Sequence, residues 1–251
     1  MIPIYIILGA AGSGRREITL DLIEYIGENE KGKTILLLAE NEKSSPYDEQ
    51  IQALHEVTLV SWNLLLNKEI IVNQLPKQGE TLFFITNGRL NPVDQIEALR
   101  EWIRKNNLQV ARTLSVINCK LCEKESSLNK WYEACIHFSD VVLLNKRDSV
   151  PNNWVRDFIQ HFEKNHYPCL FEFIKKGRVS NPALVIYPEP RRLSLVFDDE
   201  DAENANPQHD LMIEEDISYD DEVQVENDPY LKRLPNGQRE KLIPNIRDYL
   251  E

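Results

Sequence analysis

Two short stretches carry residues whose types and spacing could do chemistry: Gly9-Ala10-Ala11-Gly12-Ser13-Gly14-Arg15-Arg16 and Asn145-Lys146-Arg147-Asp148. In the first, three glycines follow an apolar run at 4–8 and lead into a helical pattern. Glycine permits the positive φ and close backbone approach that let main-chain N–H groups wrap an anion, and a helix start adds its positive dipole end. Gly9, Gly12, Ser13, Gly14, Arg15 and Arg16 are therefore the candidates for binding phosphate. The loop pattern GxxxxGK(S/T) fits from Gly9 to Gly14 and then departs. Arg15 stands where the pattern has Lys, and Arg16 stands where it has the Ser or Thr that holds magnesium. Arginine cannot ligate a cation, so no magnesium site is expected through this position. Two readings stay open: the guanidinium groups grip phosphate oxygens, or their bulk closes the loop.

In the second stretch an apolar run, 141–144, delivers Asn145, Lys146 and Asp148 to its carboxyl end. A carboxylate at Asp148 can accept both hydrogen bonds from the N1–H and 2-amino edge of guanine, a donor pair adenine lacks. The stem of Lys146 can cover the base, and Asn145 can tie the loop together. A third group, Cys119-Lys120-Leu121-Cys122, could do redox work or supply half a metal site. Cys135 and His137 do not complete a zinc site with it. Cys122 and Cys135 flank a predicted helix, which sets them roughly 20 Å apart. No metal site is expected, and Cys119 and Cys122 remain the weak candidates beside the reading of four small buried thiols.

The elements that must position these residues alternate. Apolar runs predict strands at 4–8, 34–39, 57–60, 80–86, 108–117, 141–145 and 183–187. Helical spacing marks 17–27, 47–54, 62–75, 92–103, 123–138 and 152–164. That order selects an α/β fold, a mostly parallel doubly wound sheet, and the glycine-loop pattern at Gly9–Gly14 makes the P-loop NTPase type the expected one. Ligands of such sheets sit at the carboxyl ends of the strands, where the glycine loop, Thr86-Asn87-Gly88 and Asn145–Asp148 all fall.

At these motifs the chain resembles the CobW-type P-loop GTPases, a family of GTP-dependent metallochaperones and cobalamin-related proteins. Gly9, Gly12 and Gly14 match its phosphate loop, and Asn145 to Asp148 match its NKxD. Ile85-Thr86-Asn87-Gly88-Arg89-Leu90-Asn91-Pro92 echoes its ETSGLADP-like segment, and Asn181-Pro182-Ala183 echoes a later one. The resemblance implies GTP or GDP as ligand, with Thr86, Asn87 and Gly88 as a switch-like loop. The departures are Arg15, Arg16, Ile85 where the family has a switch Glu, and the absence of cysteine from 57–68. Phosphoryl transfer needs a compact cation at the phosphates and an oriented water. The expectation is a degenerate member with weak or absent hydrolysis and a regulatory or metallochaperone-like role. The alternative is a non-catalytic pseudo-GTPase scaffold acting through protein–protein contacts.

Thirteen Asp and Glu and no Lys or Arg lie between 198 and 226, more than the whole net charge of −12. The rest of the chain is thus nearly neutral, which argues against a nucleic-acid-binding face. The expected organisation is a GTPase-like domain at 1–196, an acidic and flexible linker at 197–226, and a peptide at 227–251 that docks on a partner or straps its own domain. No apolar run approaches a membrane span and no basic leader opens the chain, so a cytoplasmic protein without membrane contact is expected.

Overall fold

The computed structural model describes residues 1–29, 32–148, 150–198 and 228–250. The acidic stretch 199–226, expected to be a linker, lies outside them. The described strands are β1 (Ile2–Gly9), β2 (Lys33–Ala39), β3 (Val57–Leu64), β4 (Ile70–Val72), β5 (Glu80–Ile85), β6 (Leu108–Asn118), β7 (Val141–Asn145), β8 (Leu170–Lys175) and β9 (Arg178–Val179). They form one sheet in the order β4-β3-β2-β5-β1-β6-β7-β8-β9. The seven central strands pair in parallel, and the two edge pairs, β3 with β4 and β8 with β9, are antiparallel.

β1 is the centre of this sheet, and side-chain alternation gives it two cores. Ile4, Ile6 and Leu8 join the core under α3 (Pro92–Lys105), α4 (Cys119–Lys124), α5 (Asn129–His137) and α6 (Asn152–Lys164). Tyr5 and Ile7 join the core under α1 (Arg15–Asn29), α2 (Pro46–Gln52) and α7 (Pro182–Ile186). Both faces are covered, which is what a parallel sheet of continuous apolar strands requires. The glycine loop leaves β1 at its carboxyl end, between β5 and β6.

Three elements differ from the periodicity. The run 62–75 is not a helix: β3 continues through Trp62 to Leu64, turns at residues 65–69 and returns as β4. Trp62 is the cause, because its indole packs on Phe84 at 4.5 Å and donates to the carbonyl of Ile85 at 3.0 Å, which fixes this segment against the sheet. The helix expected over 123–138 is broken, with Glu125 leaving helical geometry and a short 3-10 turn at Ser126–Leu128 before α5. The strand expected over 183–187 is instead α7, with Pro182 in its first turn and Asn181 accepting from Leu184 N. The sheet ends on this side with β8 and the edge strand β9, which meet at Lys176-Gly177, both at positive φ.

The segment 228–250 lies on the body. Asp228 accepts from Ser194 Oγ at 2.5 Å and pairs with His137 Nε2 at 2.8 Å, while Tyr230 packs against His137 and Phe138. Arg239 then pairs with Asp94 and Glu97 at the start of α3, at 2.7 and 2.9 Å. Ile246 is fully buried. Among the described residues no helix is long and apolar enough to cross a membrane.

Because Trp62 fixes the β3–β4 edge, Trp62→Ala is expected to lower the unfolding free energy by about 3–5 kcal/mol. Urea denaturation of the full chain reads this directly, and a loss below about 1 kcal/mol would show that the edge does not depend on the indole.

Candidate functional site

The phosphate-type loop is present as backbone. Gly9, Gly12 and Gly14 all have positive φ, at 138°, 76° and 97°. At Gly14 no side chain is possible for a second reason, since a Cβ would stand 2.3 Å from Nδ2 of Asn145. That amide donates to the carbonyl of Ser13 at 2.9 Å. The tie between the two motifs is therefore direct, and it requires glycine at the crossing. Asn145 Oδ1 in turn accepts from Lys146 N at 2.9 Å, and Lys146 adopts φ 54°.

The third part, Thr86-Asn87-Gly88, follows β5. Thr86 donates from both N and Oγ1 to the carbonyl of Ile7, each at 3.0 Å, and Asn87 N donates to Gln95 Oε1 at 2.7 Å. Gly88 O accepts from Ala11 N at 2.9 Å. The contact is close enough that a Cβ at Gly88 would lie 2.3 Å from Ala11 N.

Arg15 and Arg16, read as possible phosphate ligands, are already engaged by protein. Arg15 donates to the carbonyl of Thr86 through Nη1 and pairs through Nη2 with Oε1 of Glu42 at 2.7 Å. Arg16 pairs with Asp48 at 2.6 Å and reaches Oε2 of Glu42 at 3.5 Å. Oε1 of Glu42 also accepts from Gly88 N at 2.6 Å. Two guanidinium groups and two carboxylates thus balance in one largely buried quartet, with Arg15 and Glu42 only 5% and 7% exposed. Burial pushes the Glu42 carboxyl toward neutrality, but attraction and hydrogen bonding from Arg15, the Gly88 amide and the charge of Arg16 outweigh it, so it titrates below its ordinary range.

Neither Glu42 nor Asp48 was a candidate from the sequence. The only signal was the polar run 40–45 at the carboxyl end of a strand, where charged residues are ordinary. Asp48 has a local reason to be there as well, since it accepts from Ser45 N at 2.8 Å at the start of α2.

A cavity of about 700 Å³ opens beside this quartet, lined by Gly12, Gly14, Arg15, Arg16, Lys43 and Lys146 among others. At Gly12 a Cβ would meet nothing within 4 Å, so the loop presents backbone to open space there. That arrangement fits an anion. It does not fit magnesium, because Arg16 takes the ligand's place and the nearby carboxylates of Glu42 and Asp48 are held by arginines. Of the second motif only Lys146 lines the cavity; Asn145 is buried behind the glycine loop and Asp148 is exposed outside the lining. Tyr249 and Leu250 also line it, and Arg247 donates to the carbonyl of Arg89 at 3.0 Å, so the C-terminal segment ends at the cavity's edge.

The cysteine pair behaves otherwise than a reactive pair would. Cys119 and Cys122 are buried, and burial pushes the Cys119 thiol up to about 12 and that of Cys122 higher still. A thiol that resists ionisation is a poor nucleophile, which weighs against redox work by Cys119 and Cys122. Among the described residues no group of three or more His, Cys, Asp or Glu could hold a metal ion.

Comparison with known proteins gives a family. The family description CobW/HypB/UreG, nucleotide-binding domain, matches residues 3–166. Among solved structures, a Zn(II)-bound triple mutant of YjiA GTPase is similar with a TM-score of 0.44 and 13% identity, covering 76% of this chain. The Zn(II)-bound YjiA GTPase from E. coli gives 0.42 and 14% over the same share. The chain spans 66% of the length of each. No curated protein matches by sequence.

The quartet predicts an acid-sensitive contribution to stability. Since the folded pKa of Glu42 lies below the ordinary 4.5, its contribution is present above that value and is lost as pH falls through the folded pKa. Glu42→Gln is expected to cost about 1.5–3 kcal/mol at pH 7, with the gap to wild type closing below pH 4 in urea titrations. A gap of constant size from pH 7 to pH 3 would count against the ionised pair.

Proposed function

This chain belongs to the CobW/HypB/UreG family through its nucleotide-binding domain, and from that premise we propose that it binds a guanine nucleotide without turning it over at an appreciable rate. The observation that carries this reading is the hydrogen bond from Asn145 to the carbonyl of Ser13. It joins the motif that resembles a base reader to the phosphate-type loop, and Lys146, the next residue, lines the cavity. The phosphates would lie on the amides of the loop at Gly12 to Arg16, at the amino end of α1, and the base would lie by Lys146 and the 146–148 turn. Asp148 reads the base in this reading, and its exposed position at the turn leaves its carboxylate free to accept.

Slow or absent hydrolysis follows from the residues present. The γ-phosphoryl group passes in line to water, with the diphosphate leaving, at an appreciable rate only when a cation neutralises the phosphate oxygens and a polar group orients the water. Here the arginine charges are spent on Glu42 and Asp48, and Ile85, where the family carries a glutamate, is buried and apolar. The role that fits is regulatory or chaperone-like, with the bound nucleotide as a structural signal. A second reading, a protein-interaction scaffold, is favoured by the C-terminal segment, whose Tyr249 and Leu250 reach the cavity. A partner that took up this segment would also uncover the nucleotide.

Calorimetry and thermal shift with GDP, GTP and ATP, with and without magnesium, test the proposal. A guanine nucleotide at about a hundred times its Kd is expected to add about 2.7 kcal/mol of stability, ATP none, and Asp148→Ala to abolish the effect. No shift with any nucleotide, or magnesium-dependent phosphate release at rates ordinary for GTPases, would refute it. Tyr249→Ala is expected to speed nucleotide association in stopped-flow measurements while leaving the dependence on Asp148 intact. An unchanged association rate would show that the segment does not gate the cavity.

A further inference from the structure

The quartet carries more than a closed loop, because one oxygen atom in it collects two particular donors. In a P-loop the side chain after the last glycine and the loop amide beyond the neighbouring strand both serve the terminal phosphate of a bound triphosphate. In this chain the corresponding donors are Nη2 of Arg15 and the main-chain N of Gly88. Both point at Oε1 of Glu42, at 2.7 and 2.6 Å. The second carboxylate oxygen faces Arg16 at 3.5 Å.

We propose, on the reading that this site takes a guanine nucleotide, that Glu42 is a built-in substitute for the terminal phosphate, so that the site accepts a nucleoside diphosphate and rejects the triphosphate. A carboxylate offers acceptor oxygens and a negative charge, as a phosphoryl group does, and it is delivered on a short loop after β2. The charges of Arg15 and Arg16 are matched by Glu42 and Asp48, so none is left over for a third phosphate. A γ-phosphate entering here would meet the Glu42 carboxylate as a like charge and would find both of its donors taken. The first two phosphates have the loop amides, and Lys43, Lys124 and Lys146 line the same cavity.

The second consequence concerns the loop at 86–91. In switch proteins such a loop is ordered by the terminal phosphate and released when that group leaves. Here Glu42 holds Gly88 N, Arg15 holds Thr86 O, and Ala11 N holds Gly88 O, all of them groups of the chain itself. The loop is kept in one arrangement by the chain itself, so loss of a phosphate does not release it.

Two measurements on the full chain test this. In calorimetry without magnesium, wild type is expected to bind GDP at least about tenfold more tightly than GTP. Glu42→Ala is expected to raise GTP affinity by about tenfold and change GDP affinity less than about threefold. Glu42→Gln, which keeps an acceptor but not the charge, falls between the two. In hydrogen exchange of the nucleotide-free chain, the Gly88 amide is expected to be protected in wild type, to exchange at least about tenfold faster in Glu42→Ala, and to regain protection when GTP is added.

GDP binding with no preference over GTP, or a preference that Glu42→Ala leaves intact, would overturn the substitution while the guanine-nucleotide reading stands. Failure of every variant to bind either nucleotide would remove that reading and the diphosphate preference together. In that case faster Gly88 exchange in Glu42→Ala would still support the hold of Glu42 on the loop, and unchanged exchange would overturn that as well.

Discussion

The carboxylate of Glu42 is the contact on which the arrangement of this site depends. From the loop after β2 it joins two segments that are distant in sequence: the start of α1 after the glycine loop, through Arg15 and Arg16, and the loop after β5, through the amide of Gly88. Each partner is costly to bury alone. A guanidinium taken from water without a counter-charge loses several kcal/mol, and an unmatched carboxylate does the same. Brought together with Asp48, they satisfy one another, and the loops they belong to inherit a fixed geometry.

The backbone around this contact is built for close approach. Gly14 lets the Asn145 amide cross the glycine loop, and Gly88 lets the β5 loop press against Ala11. The site is therefore held by main chain against main chain, with the arginine–carboxylate pairs packed beside it.

The C-terminal segment adds a second constraint from outside. It is fixed at Asp228 by His137 and Ser194, at Arg239 by Asp94 and Glu97, and at Arg247 by the carbonyl of Arg89. Burial opposes ionisation of Glu97, but hydrogen bonds from Lys68 and Arg233 and the charge of Arg239 lower its pKa to about 2, so this clasp stays ionised across the physiological range. It ends at the residue that follows Gly88, which links the position of the segment to the same loop that Glu42 holds.

Much of this could be read in the sequence because the signals were local. The apolar runs of β1, β2, β5, β6 and β7, the glycines at Gly9, Gly12 and Gly14, and the Asn145–Asp148 motif each depend on the residue types in a short window. The mistakes came where a window was ambiguous. The run at 62–75 has a spacing that suits a helix, and only the Trp62 indole on Phe84 makes it a strand; residues 183–187 look like a strand until Asn181 and Pro182 start a helix. What no window contained was the pairing of Arg15 and Arg16 with Glu42 and Asp48, over separations of 26 to 32 residues. The sequence by itself determined a parallel α/β sheet with a phosphate-type loop of altered chemistry, because strand pattern and glycine geometry are properties of consecutive residues. Only the tertiary structure decided what the two arginines do, because a buried charge takes its partner from whatever carboxylate the fold brings within reach.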